Sequence, residues 1–309
     1  MTTDDDRPSD GNPFAPSEHE LRKMRTTAAA KWITAAAALT LAVPVLLIFG
    51  VIIWRALPVL SLDYLWLNPA DKGKAGGLWA PLVGTVALVM TSVLLTAPVG
   101  VAAAIYLNEY APAGRARRLI SLAMTSLAGV PSIVHALFGL GAFVLFARMG
   151  ASLLAASCTL AVMNLPVIIA SAQQALAAVP MPFREACWNL GASRWQTIRT
   201  IVLPNSLAGI LTGIILAVSR AAGETAPILF TGAVFFKRAP DSGVERFFPY
   251  GVGDQFMALA MHLHVISTQI SGMPAAYMFG CAFLLVSLVM LINSAAIFLR
   301  WRLRSRRKW

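Results

Sequence analysis

Six stretches of this chain stay apolar for about 20 residues or more, approximately 32–54, 79–107, 120–146, 152–173, 206–236 and 275–299, the fifth being the least regular. A helix needs about 20 such residues to cross roughly 30 Å of hydrocarbon with every backbone group bonded within itself. The expected fold class is therefore all-α, a polytopic membrane protein of six transmembrane helices. The balance of the whole chain excludes a soluble globule, since 58% of it is hydrophobic, 13% is charged and the mean hydropathy is +0.70. Pro44, Pro98, Pro131, Pro166 and Pro227 interrupt five of the stretches. Membrane helices tolerate proline where neighbours or water satisfy the freed carbonyls, so a packed, partly hydrated bundle follows.

A net charge of +11 would suggest nucleic acid in a soluble protein. Here the bases flank apolar stretches, where they set orientation, and no nucleic-acid partner is expected. Seventeen Lys and Arg fall on one side, including Arg115, Arg117, Arg118, Arg184, Arg194 and Arg199, and seven on the other. That asymmetry places both termini and residues 182–204 in the cytoplasm, with 58–78 and 237–273 outside. Residues 1–31 read as a disordered cytoplasmic tail and 300–309 as a basic cytoplasmic one. The first apolar run is too long for a cleaved signal and is expected to be retained as a span.

Cys158, Cys187 and Cys281 lie in or beside apolar stretches without paired spacing and read as packing residues. His262 and His264 would share a face on a strand, but no Cys, Asp or Glu stands at ligand spacing, and no metal is expected. His135, inside the third stretch, suits helix-to-helix hydrogen bonding at least as well as a functional role. No G-x-x-x-x-G-K-[ST] occurs, so the chain does not bind ATP through a P-loop.

Between the fourth and fifth stretches the sequence PFREACWNLGASRWQTIRTIVLP, residues 182–204, turns polar and then apolar again. Pro182 fits a first helical turn, and Phe183, Ala186, Cys187 and Leu190 follow at helical spacing to give one apolar face. Gly191 can close that helix in the left-handed conformation. Ser193-Arg194-Trp195-Gln196 has the pattern of a capping box that starts a second helix, with Trp195, Ile198 and Val202 on its apolar side. Pro204 is expected to stop it, and Asn205-Ser206 to cap the next span. By itself the pattern describes an amphipathic interfacial hairpin.

Glu185-Ala186-Cys187, then Gly191, then Ile201-x-Leu203-Pro204, resembles the EAA loop of the permease subunits of type I ABC importers, with Cys187 where alanine is usual. The likeness continues through PVGVAAAIYLNEYA at 98–111, GVPSIVHALFGL at 129–140 and SRAAGETAPILFTGA at 219–233. Across roughly residues 80–298 these blocks are similar to the PstA-type permeases of phosphate importers. The resemblance implies a type I importer permease domain over 79–299, following a first helix and loop at 32–78, in a bacterial plasma membrane. It implies inorganic phosphate as substrate, a PstC-type second permease and an external PstS-type phosphate-binding protein. It also implies two PstB-type ATPases, which bind the ATP and Mg. The permease itself would have no catalytic site, and Glu185, Ala186, Gly191, Ile201, Leu203 and Pro204 would couple it to the ATPases.

The substrate reading rests on Arg220, Glu224 and the adjacent Thr225. From Leu207 to Arg220 is about 20 Å along a helix, which sets the guanidinium deep in the core. Arg220 and Glu224 are the only Arg and Glu inside an expected span, four apart on one face, and each alone would be costly there. Gly223 and Pro227 weaken the same turn, and a broken helix with charge at depth points to a transport site. Gly209, Gly213, Ala217 and Ala221 form a ridge of small residues on the neighbouring face, where another helix can approach closely. Other readings remain open: a permease for another oxyanion such as molybdate or sulfate, or the sister phosphate permease; an ATP-independent transporter or channel; and a membrane sensor or scaffold with a purely structural pair.

Overall fold

The computed structural model describes residues 18–71, 75–238 and 247–305. Their contacts divide the chain after Trp54. The first unit is most of α1, Glu18–Ala56, whose stretch Ala30–Ala56 is apolar and long enough to span, with Trp32 and Leu41 exposed. The helix thus starts well before Trp32, and residues 18–31, expected as disordered tail, belong to it. Once a span has nucleated a helix, extending it through Leu, Arg, Lys, Met and Ala costs little. Residues 1–17 of that expected tail lie outside the described residues.

The second unit begins with α2, Leu62–Trp66, and a two-stranded hairpin of β1, Pro69–Ala70, and β2, Ala75–Gly76. It continues through α3, Trp79–Ile105, α4, Arg115–Ala128, α5, Ser132–Gly139, and α6, Leu153–Ala177. Then come α7, Met181–Asn189, α8, Arg194–Thr197, α9, Leu203–Gly223, and α10, Ala226–Thr231. The last two helices are α11, Leu259–Thr268, and α12, Ala275–Ser305. The long helices make this a multi-pass membrane protein, with five candidate spans, or six if the bent pair α4 and α5 is one.

The centre is α6, packed against both α3 and α9, which also touch each other, with α12 against α9. One apolar cluster gathers Leu88 and Val89 of α3, Leu160 and Met163 of α6, Ala221 and Ala222 of α9, and Ile228 of α10. A second, nearer the 182–204 hairpin, joins Ala104, Leu107, Ile169, Ala172, Leu176 and Val202. The small-residue ridge of α9 faces this centre. A Cβ added at Gly213 would lie 2.4 Å from Ser171 Cβ, and one at Gly209 would lie 2.5 Å from Ala175 Cβ. Gly213→Leu is therefore expected to cost about 3 kcal/mol by overpacking and to lower the melting temperature of the purified protein in detergent. Gly141→Ala, whose Cβ would meet nothing within 4 Å, should leave it unchanged.

Three expected spans differ in form. The third is two helices bent by 103°, α4 and α5 with its π-helical continuation Leu140–Phe146. Pro131 at their junction has no N–H to offer a continuing helix, and its own ψ of 145° turns the chain out of the helical path before α5 begins. The fifth ends at Gly223 rather than near 236, and α10, packed on α5, is a separate short helix. At its other end the fifth is continuous with the hairpin, because α8 runs through a π-helical turn, Ile198–Val202, into α9. Pro204 therefore does not stop the helix. In the π turn Leu203 N–H reaches Ile198 O five residues back, and proline in the first turn that follows needs no donor. Pro44, Pro98 and Pro166 sit inside unbroken helices.

The 237–273 loop contains α11, too short to span and buried along Leu259, His262 and Ile266. On a helix, residues two apart point to opposite faces, so His262 is buried while His264 is exposed. They do not form a pair. His262 stacks on Phe235 at 4.9 Å, and burial holds its pKa down to about 4, which keeps the ring neutral.

Candidate transport pathway and coupling hairpin

Helix α9 carries Arg220 in its last turn, where the carbonyl end of the helix dipole favours a cation. At Glu224 the backbone leaves the helix, with φ −73° and ψ 132°, and Thr225 then opens α10. Gly223 weakens the turn, and Pro227 lacks the N–H that would have bonded the Gly223 carbonyl. Across this break Arg220 Nε lies 3.1 Å from Glu224 Oε1. The side chains are 38% and 18% exposed, so the pair is reachable rather than sealed in the core. Thr225 beside it is half-buried. The remaining guanidinium N–H groups have no described partner.

Two features fix this end of α9. Ser219 Oγ lies 2.6 Å from Asn293 Oδ1 of α12, a polar link between spans. Ala221 and Ala222 are packed beside Leu88 and Val89, about 14 Å along α3 from its start at Trp79. Arg220 therefore sits well inside the length of the bundle. Ser219 and Asn293 were not singled out in the sequence, where a serine and an asparagine in separate apolar stretches carry no sign of being neighbours.

At the hairpin, Pro182 is in the first turn of α7 and Gly191 has φ +83°, the left-handed conformation expected. Both halves of the Ser193 and Gln196 capping box are formed. The anticipated apolar face of α7 is mostly uncovered: Phe183 is 42% and Leu190 88% exposed, Ala186 is exposed and Cys187 is half-buried. Glu185, Gly191 and Trp195 are exposed too, whereas Ile198 and Val202 are buried. Ile201, Leu203 and Pro204 are half-buried where the hairpin becomes α9.

The buried residue of α7 is Arg184, which the sequence reading counted only as a topology-setting charge. Its Nη2 lies 3.0 Å from Glu109 Oε1, in the π-helical turn Tyr106–Tyr110 that ends α3. Nη2 also donates to Leu176 O at 2.9 Å, and Nη1 donates to Val179 O. Asn108 Nδ2 donates to Glu109 at 2.7 Å. Glu109 ends an apolar stretch and Arg184 lies in a polar one 75 positions on, so neither residue carries a sign of the other in the sequence.

Residues 96–305 match the family described as binding-protein-dependent transport system inner membrane component. The chain belongs to this family. The matched region of this inner membrane component takes in α6, the hairpin, α9 with its break, and α12. Among its relatives, the probable ABC transporter permease protein YqgI of Bacillus subtilis is 31% identical over 259 residues, covering 82% of this chain and 87% of that one. The phosphate transport system permease protein PstA 2 of Mycobacterium bovis is 33% identical over 258 residues, covering 84% and 81%. In fold the chain is similar to a chain of the MetNI methionine ABC transporter in an inward-facing conformation. The TM-score is 0.57 at 19% identity, with 73% of this chain and 97% of that one covered. The bundle thus has the type I ABC importer permease fold.

Proposed function

We propose that this chain is the permease subunit of an ATP-driven importer of inorganic phosphate. The observation that carries the reading is the break in α9, which exposes Arg220 and Glu224 inside a bundle of this family. The relatives named for phosphate transport support the choice of substrate. A planar guanidinium matches two oxygens of an oxyanion, and among the described residues Arg220 bonds Glu224 through Nε alone, leaving its other N–H groups for the anion. Glu224 neutralises Arg220 when no anion is present, or accepts a hydrogen bond from the P–OH that phosphate has at neutral pH and sulfate lacks. Thr225 offers a hydroxyl beside them.

Energy comes from partner subunits. Two PstB-type ATPases bind ATP and Mg and carry out the hydrolysis, and the exposed side of α7, with Glu185 and Ala186, docks on them. The hairpin and both termini lie in the cytoplasm of a bacterial cell in this reading, which the charge asymmetry supports. A PstC-type permease completes the pathway, and an external PstS-type protein delivers phosphate. ATP-dependent phosphate uptake by proteoliposomes holding the purified assembly tests this. Uptake without ATP, or preference for sulfate or molybdate, overturns it.

Glu224→Gln keeps the shape of the side chain and removes its charge. It is expected to reduce phosphate uptake by about tenfold or to relax discrimination against sulfate. Unchanged uptake with unchanged selectivity would exclude both roles of Glu224.

A further inference from the structure

We infer that Arg184 and Glu109 form a latch through which the hairpin moves α3 and α6, in addition to α9. The inference rests on the importer reading above. The hairpin has two connections to the bundle. One is the uninterrupted helix from α8 through the π turn into α9, which leads directly to Arg220 at its far end. The other is Arg184, which grips three points at once: Glu109 after α3, Leu176 in the last turn of α6, and Val179 just beyond it. This ion pair ties the hairpin to the end of a separate helix, whereas Arg220 with Glu224 spans four residues and Lys237 with Asp254 joins two loop positions.

Helix α7 buries one side chain, Arg184. Its other side chains are exposed or half-buried, and a cavity of about 310 Å³ opens beside the latch, between Asn108, Trp188, Arg194 and Thr197. Packing at a void transmits little force, whereas a buried guanidinium held by a carboxylate and two carbonyls resists displacement in several directions. A push on the exposed face of α7 therefore reaches α3 and α6 through Arg184. Without the latch the same push bends the hairpin into the cavity and moves α9 alone. The walls of the pathway would then shift out of step, and ATP hydrolysis would proceed without transport. Arg184 and Glu109 are positioning residues, acting on the pathway through the helices that they tie.

The test compares wild type, Glu109→Gln, Glu109→Asp, Arg184→Gln and the double variant Glu109→Gln/Arg184→Gln, each purified with its ATPases and reconstituted. The readouts are phosphate taken up per ATP hydrolysed and the stimulation of hydrolysis by phosphate-loaded binding protein. Each single change to Gln is expected to lower the uptake per ATP by about tenfold, the scale of a coupled pair of contacts, and to blunt the stimulation. Glu109→Asp should recover part of both. The double variant leaves no unpaired buried charge, so it should assemble even where a single variant does not, and it should be as uncoupled as the singles. A double variant that assembles and transports as many phosphates per ATP as wild type overturns the latch. So does one that fails to bind its ATPases, because the pair would then only hold the fold. Wild type without ATP-dependent uptake overturns instead the importer reading on which the latch depends.

Discussion

Arg220→Ala is expected to reduce phosphate uptake by about 30-fold or more at matched membrane abundance, equivalent to about 2 kcal/mol or more. The alanine removes the cation that attracts the anion and leaves Glu224, whose charge repels it, alone at the break. The helix itself should persist, because Ser219 still meets Asn293 and the Gly209 and Gly213 ridge still packs on α6. Arg220→Lys should fall between the two, since an ammonium keeps the charge but lacks the two-pronged geometry. Initial rates of radiolabelled phosphate uptake, normalised to permease in the membrane by immunoblot, decide the matter. Full uptake by Arg220→Ala would remove the guanidinium from the pathway.

Gly191→Val should break coupling at the opposite end of the same helical run. The cause is conformational, since a Cβ at this position meets nothing within 4 Å, yet φ is +83°. An L-residue in the left-handed region costs about 1–2 kcal/mol, and a β-branched one stands further outside its range. The turn then relaxes, and α7 no longer keeps its angle to α8. The expected result is loss of ATPase co-purification, or of phosphate-stimulated hydrolysis, with at least about tenfold less uptake. Gly191→Asn should retain most of the activity, because asparagine visits this conformation more readily. A valine variant coupled like wild type would show that the turn plays no part in docking.

Much of the architecture was legible because it follows from local rules. Apolar length alone marks the long helices, since nothing shorter crosses hydrocarbon with its backbone satisfied. The hairpin could be read to the residue at Pro182, Gly191, Ser193 and Gln196, because caps and left-handed turns are decided within a few residues. The break at Gly223 was likewise foreseeable from glycine and proline in one turn. Local rules failed at Pro204 and Pro131. A proline permits either a stop, a bend or a π turn; the chain takes a π turn with Ile198 and Val202 buried before Pro204, and a 103° bend at Pro131. They were also silent in the 237–273 loop, where α11 formed and put His262 and His264 on different faces.

The chain by itself determined a membrane bundle, a capped polar hairpin and a charged pair where a helix must break, all set by residues close together in sequence. Only the tertiary structure decided which side chains are partners across the fold. Ser219 meets Asn293 across 74 positions and Arg184 meets Glu109 across 75, and such pairs leave no periodic trace in either segment. It also decided that the apolar face of α7 stays uncovered while its arginine is buried, the reverse of what polarity suggests. The reason is energetic: a guanidinium can be buried where a carboxylate and two carbonyls converge on it, and that convergence exists only once α3, α6 and α7 have come together.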